Sequence, residues 1–202
     1  MAVNNPIDTN ILWNSFLDGD DNAFGTVYYA FINAILSYGK KLTSDRELLN
    51  DAVQEIFMDL YQKRSKKHIP ISNLKSYLFI ALKNTILKKI LQNRIDVDKV
   101  VDDNLLGEFN IEYSFQDQLI NREISEEKRQ LLQNAIITLS SKQKEIIYLK
   151  FEEELEYTEI ARIMKISVES ARKQLYRTLL SLRQILDNET FLILFLVLRK
   201  KV

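Results

Sequence analysis

The sequence predicts an all-α protein: two small helical domains joined by an acidic linker, the second carrying a helix-turn-helix. Three observations predict it. Gly (4) and Pro (2) are scarce among 202 residues, and no long run alternates apolar and polar side chains. Helices therefore face little competition from turns or strands. Apolar residues recur instead at spacings of three and four, the period of an amphipathic helix. Charge falls in blocks: 28 basic and 28 acidic side chains cancel to zero overall, yet no acidic residue lies between Asp59 and Asp96.

The first domain is expected over residues 8–93, as four helices. Residues 9–18 carry Ile11, Leu12, Trp13, Phe16 and Leu17. Residues 21–42 carry Phe24, Val27, Tyr28, Phe31, Ile35 and Tyr38. Ser44 and Glu47 form a capping-box pattern that opens a third helix. Its inner side holds Leu48, Leu49, Ala52, Val53, Ile56, Phe57, Leu60 and Tyr61. A loop, SKKHIPISN over 65–73, precedes a fourth helix at 74–93 built on Leu74, Tyr77, Leu78, Ala81 and Leu82. This half is basic: Lys63, Arg64, Lys66, Lys67, Lys75, Lys83, Lys88, Lys89 and Arg94 fill the gap without carboxylates.

Residues 94–118 lose the helical period, and Asp96, Asp98, Asp102, Asp103, Glu108, Glu112 and Asp117 make them acidic. An extended or weakly structured linker is expected there. The acidity runs on through Glu123, Glu126 and Glu127, and basic residues predominate again from Lys128 onward. Two basic surfaces suit phosphate through counterion release, while the acidic segment avoids it.

A second domain is expected over 119–186. Ile136, Ile137, Leu139, Ile146, Ile147, Leu149 and Phe151 supply the core of its first part, and Ser140 with Gln143 forms another capping box. Residues 157–186 then read as a short helix, a tight turn and a longer helix. Thr158 is expected to cap the first of these and Ser167 the second. Ala161 sits where the two must approach closely, and Lys165 occupies a turn position that favours positive φ. On the longer helix Val168, Ala171, Leu175, Leu179, Leu182 and Leu186 form one apolar stripe. Arg172, Lys173, Tyr176 and Arg177 fall off it and face outward. That is the pattern of a helix-turn-helix, whose second helix enters the DNA major groove. An amphipathic hairpin with a solvated charged face is the other reading of this segment alone.

The tail, 187–202, contains the apolar run FLILFLVL at 191–198, then Arg199, Lys200 and Lys201. A bilayer span needs about 20 apolar residues. A helical extension packed on the second domain or on a partner is therefore expected. The N-terminal MAVNNPIDTN pairs no basic segment with an apolar one, so no signal peptide is expected. The chain has no Cys and a single His, His68. Without thiolates a disulfide or thiolate metal site is excluded, and a cytoplasmic location fits. No glycine-rich phosphate loop and no nucleophile–base pair is evident. The expectation is a non-enzyme with no catalytic residue, metal or cofactor.

Three stretches in this order resemble the extracytoplasmic-function (ECF) sigma factors, the smallest promoter-specificity subunits of bacterial RNA polymerase. They are DAVQEIFMDLY (51–61), NLKSYLFIALKNTILKKIL (73–91), and LLQNAIITLSSKQKEIIYLKF (131–151) followed by the helix-turn-helix. The resemblance implies that the first domain binds core polymerase through Asp51, Gln54, Glu55 and Asp59. It implies that the loop and fourth helix recognise and melt the −10 promoter element through His68, Ser72, Asn73, Lys75, Tyr77, Lys83, Asn84, Lys88 and Lys89. Tyr77 is also expected to be partly core. The family usually has Trp near Tyr77 and Arg at Lys83, and Lys cannot fork onto phosphate as Arg does. The resemblance implies −35 recognition by Ser170, Arg172, Lys173, Gln174, Tyr176 and Arg177, with the two arginines able to fork onto guanine. It implies a linker threaded toward the polymerase active-site and RNA-exit channel. The implied partners are core RNA polymerase, promoter DNA and an anti-sigma factor, often membrane-bound, with no small-molecule substrate. A stand-alone helix-turn-helix regulator is the alternative, and it would bind its operator without polymerase.

Overall fold

The computed structural model describes residues 9–62, 64, 73–93, 106, 108–109 and 125–199, with side chains described from 11 to 195 within those ranges except at 93. Among the described residues all regular structure is helical. The chain divides into two compact units, residues 1–107 and 108–202.

Four helices build the first unit: α1 (Thr9–Leu17), α2 (Asp21–Leu42), α3 (Arg46–Gln62) and α4 (Leu74–Asn93). Helix α2 packs against each of the others, and α3 packs along α4. The heptad-like apolar positions predict the core: Val27, Ile35, Tyr38, Leu60, Leu78 and Leu82 are fully buried. Each such side chain contributes about 1.5–3 kcal/mol by leaving water. Tyr38 and Phe79 stack face to face at 4.5 Å and 6° between α2 and α4. Gly39 permits the closest approach, because a Cβ there would collide with the Leu49 side chain of α3. At the α1–α2 turn Gly19 takes φ +121°, a conformation that side chains resist. Asp20 then caps α2 by accepting from Asn22 N at 2.9 Å.

The third helix starts differently from the sequence expectation. Asp45, not Ser44, is its cap: Asp45 Oδ1 accepts from the N–H groups of Glu47 and Leu48, both at 3.0 Å. A carboxylate there also complements the positive helix N-terminus, which a Ser hydroxyl does less well.

The second unit contains α5 (Glu126–Ile137), α6 (Ser141–Ile147), a π-helical turn (Tyr148–Glu152), α7 (Tyr157–Ile163), α8 (Val168–Ile185) and α9 (Asn188–Arg199). The capping box expected at Ser140 and Gln143 is present: Gln143 Oε1 accepts from Ser140 N at 2.9 Å, and Ser140 Oγ accepts from Gln143 N at 3.4 Å. Helix α9 is the apolar tail. It packs on the π-helical turn, α5 and α8. Phe195 meets Phe151 edge-on at 5.0 Å, Leu194 is buried, and Lys128 pairs with Glu189 at 2.6 Å. Asp187 holds its first turn by accepting from Thr190 N at 2.7 Å. Among the described residues no helix is long and apolar enough to cross a membrane.

Most of 94–118 lies outside the described residues, but one part of it is held by packing. Phe109 is buried in the second unit, 5.9 Å from the Tyr148 ring, and its N–H donates to Ser141 Oγ at 3.3 Å. An apolar ring within an acidic run has more to gain from an apolar site than from water.

Candidate nucleic-acid interface

The second unit presents its charge on α8. The preceding helix α7 begins at Tyr157, two residues earlier than a Thr158 cap suggests. Glu156 is its N-cap residue, and Glu156 N donates to Glu159 Oε2 at 2.8 Å. A carboxylate reaching back from the third helical position closes the cap without Thr. Lys165 in the turn takes φ 54°, the left-handed value expected of that position. Ser167 then caps α8, its Oγ accepting from Ser170 N at 3.0 Å.

Helix α8 has two chemically distinct sides. Ala171, Leu175, Thr178, Leu182 and Leu186 are buried against the unit, and Val168 and Leu179 are half-buried. Ser170, Arg172, Lys173, Tyr176 and Arg177 are exposed, and Gln174 is half-buried at the border. Tyr176 is 68% exposed, a large ring held in solvent beside the two arginines. Lys173 is paired with Glu169 at 2.6 Å. Arg172 and Arg177 form no ion pair among the described residues. The Arg172 guanidinium lies 5.4 Å from the centre of the Tyr157 ring, and Lys150 Nζ lies 5.0 Å from the same ring. An exposed face with two unpaired forked cations is equipped to meet phosphates and base edges.

The first unit treats its charges differently. On α3, Asp51, Gln54 and Asp59 are exposed, as an outward polar face requires. Glu55 is half-buried and pairs with Lys89 at 3.0 Å and Lys88 at 3.8 Å on α4. So a residue expected at the polymerase contact is joined to two expected at DNA. On α4, Asn84 is exposed, while Lys75 and Tyr77 are half-buried. Lys83 corrects the expectation of a phosphate donor: it is 1% exposed and already partnered. The reason is register, since Phe79, Leu82, Lys83 and Ile86 share one buried stripe. Asn73 serves as a helix cap, its Oδ1 accepting from Ser76 N at 3.0 Å. His68 and Ser72 lie outside the described residues.

Beside Gln54 runs a groove of about 490 Å³ between α2 and α3. Phe24, Tyr28, Phe57, Met58 and Tyr61 line it. The sequence signals Phe24, Tyr28, Phe57 and Tyr61 only as core positions. Met58, 53% exposed, gives no core signal at all.

Two family descriptions match these two units separately. Sigma-70 region 2 matches residues 27–95, and sigma-70 region 4 matches residues 129–182. The ECF RNA polymerase sigma factor SigM of Bacillus subtilis (strain 168) is 26% identical over 152 residues, which is 75% of this chain and 87% of that protein. The chain belongs to the sigma-70 family, in its ECF class. It is therefore a transcription initiation factor that directs RNA polymerase to promoters, a role that needs no enzymatic chemistry. In this sigma factor the region 2 match begins within α2 and ends just past α4. The region 4 match runs from α5 through most of α8 and stops before α9. The last helix lies outside the matched region and is attached through Leu194, Phe195 and the Lys128–Glu189 pair.

Two residues near the sigma factor's outward helix escape sequence reasoning. Lys150 and Tyr157 fall on one side of a helical wheel but about two turns apart along a continuous helix; the break between the π-helical turn and α7 lets Lys150 Nζ reach 5.0 Å from the ring.

Proposed function

We propose that the two units of this sigma factor divide promoter recognition between them. The first unit holds core RNA polymerase through the exposed face of α3 and engages the −10 element through the 65–73 loop and α4. The second reads the −35 element by laying α8 in the major groove. The observation that carries this reading is the outward face of α8, where Arg172 and Arg177 stand exposed without ion-pair partners among the described residues. Arginine in that state can fork onto guanine or grip phosphate at no cost in broken pairs. Lys173 would have to leave Glu169, so it suits phosphate positioning better than base reading.

In the first unit, Asp51, Gln54 and Asp59 supply the polar contacts for polymerase, and the adjoining apolar groove supplies area to bury. Interfaces combine such a rim with an apolar centre. Asn84 and Lys75 remain the α4 groups suited to DNA, while Lys83 is structural. ECF membership supports a further partner, an anti-sigma factor, and a cytoplasmic site of action.

The test is whether promoter binding depends on polymerase. The purified chain and its complex with bacterial core enzyme are each titrated against promoter DNA. Tight, sequence-specific binding only in the complex is expected. Equally tight binding by the chain alone would identify a stand-alone regulator and remove the assigned role of the first unit.

A further inference from the structure

We infer that Tyr157 is a positioning residue for promoter recognition, holding the Arg172 guanidinium over its ring at the edge of the DNA-facing helix. The inference rests on the reading of α8 as the −35 recognition helix. Three observations carry it. Tyr157 opens α7, and its place is fixed from behind by the α7 cap, where Glu156 N donates to Glu159 Oε2 at 2.8 Å. Its ring lies 5.4 Å from Arg172 Cζ, although the two residues are on different helices. A second cation, Lys150 Nζ, lies 5.0 Å from the same ring and donates to Leu155 O at 3.1 Å. That bond pins Lys150 to the loop between the π-helical turn and α7.

The arrangement has a chemical consequence. A free arginine on an exposed helix samples many rotamers, and binding must remove that freedom. A ring beneath the guanidinium removes part of it beforehand and leaves the N–H edge open for bases or phosphate. Two cations on one ring also repel each other, and a phosphate placed beside them relieves that repulsion. The cluster therefore gains from an anion in a way that an isolated Arg–Tyr pair does not.

The experiment is a double-mutant cycle on the full chain bound to core polymerase, read as promoter affinity. Tyr157→Leu and Tyr157→Phe are each made with Arg172 intact and with Arg172→Ala. Tyr157→Leu is expected to weaken binding about two- to fivefold, the effect of one exposed cation–π contact. Tyr157→Phe is expected to restore wild-type affinity, and Tyr157→Leu is expected to be silent once Arg172 is Ala. The Arg172 Hδ protons should also lose their upfield ring-current shift in Tyr157→Leu and keep it in Tyr157→Phe. A Tyr157→Leu loss of equal size in both backgrounds overturns the inference, and a general loss of folding produces that same pattern. Failure of Phe to rescue also overturns it. If Arg172→Ala itself leaves promoter affinity unchanged, the reading of α8 fails and this inference fails with it.

Discussion

The α3–α4 surface of the first unit and the α8 surface of the second are both rich in charge, and they use it in opposite ways. On α4, Lys88 and Lys89 meet Glu55 of α3, and Lys83 is buried. Among the described residues, these lysines are committed within the unit. On α8, Lys173 alone of Arg172, Lys173 and Arg177 is ion-paired among the described residues, and Arg172 rests on an aromatic ring instead of a carboxylate. Block charge in a sequence thus predicts a partner only where the fold leaves the charge unsatisfied. Pairing across two helices also stiffens the α3–α4 face, which suits a surface that must dock on a large protein.

The sharpest break of this contrast comes from exchanging a lysine and an arginine between readouts. Lys83→Ala should cost the first unit about 2–4 kcal/mol of folding stability, as truncation of a buried long side chain does. Chemical denaturation measures it, and unaltered stability would return Lys83 to the surface. Arg172→Ala should do the reverse. It is expected to leave the denaturation midpoint in place and to weaken promoter binding by about 1–3 kcal/mol if it contacts a base.

A smaller effect separates two neighbours on α3. Gln54→Ala should weaken core polymerase binding by about 1 kcal/mol, and Glu55→Ala by less, because Glu55 is already engaged with lysines. A larger loss at Glu55 than at Gln54 would mean that the intramolecular pairs open on docking. The smallest effect concerns α9. The Thr190 backbone N–H, followed by its hydroxyl, holds the Asp187 carboxyl below its ordinary value. A depressed pKa stabilises fully above the unfolded aspartate value and is lost as pH falls through the folded one. The Cα shifts of Thr190 and Phe191 should therefore drift toward unfolded values in acid, and Asp187→Asn should abolish that drift.

Much of this architecture was legible in the sequence. The stripe from Ala171 to Leu186, the Ser167 cap and the α2 and α4 ranges follow from apolar spacing and cap chemistry, which are local. What was not legible is non-local. Lys83 looks like a donor until α4 is packed, because periodicity places it only at the border of a stripe. Asp45 and Glu156 displaced Ser44 and Thr158 as caps, since cap choice depends on the backbone geometry where the helix actually begins. Phe109 gave no periodic signal, standing alone in an acidic run, and its site on Tyr148 exists only in the folded second unit. Tyr157 and Lys150 would lie about two turns apart on a continuous helix; they meet because the helix breaks between Glu152 and Tyr157, where Glu154 takes φ 55°, a break that no helical wheel contains.

The most direct test of the two-surface account is reconstituted transcription, with the purified chain, bacterial core RNA polymerase and a genomic DNA library, and with transcript starts sequenced. The account predicts core-dependent starts that share upstream elements at −10 and −35 spacing, with Arg172→Ala altering selection at the −35 element alone. Starts that carry no shared −35 element, or an Arg172→Ala profile identical to wild type, would contradict it.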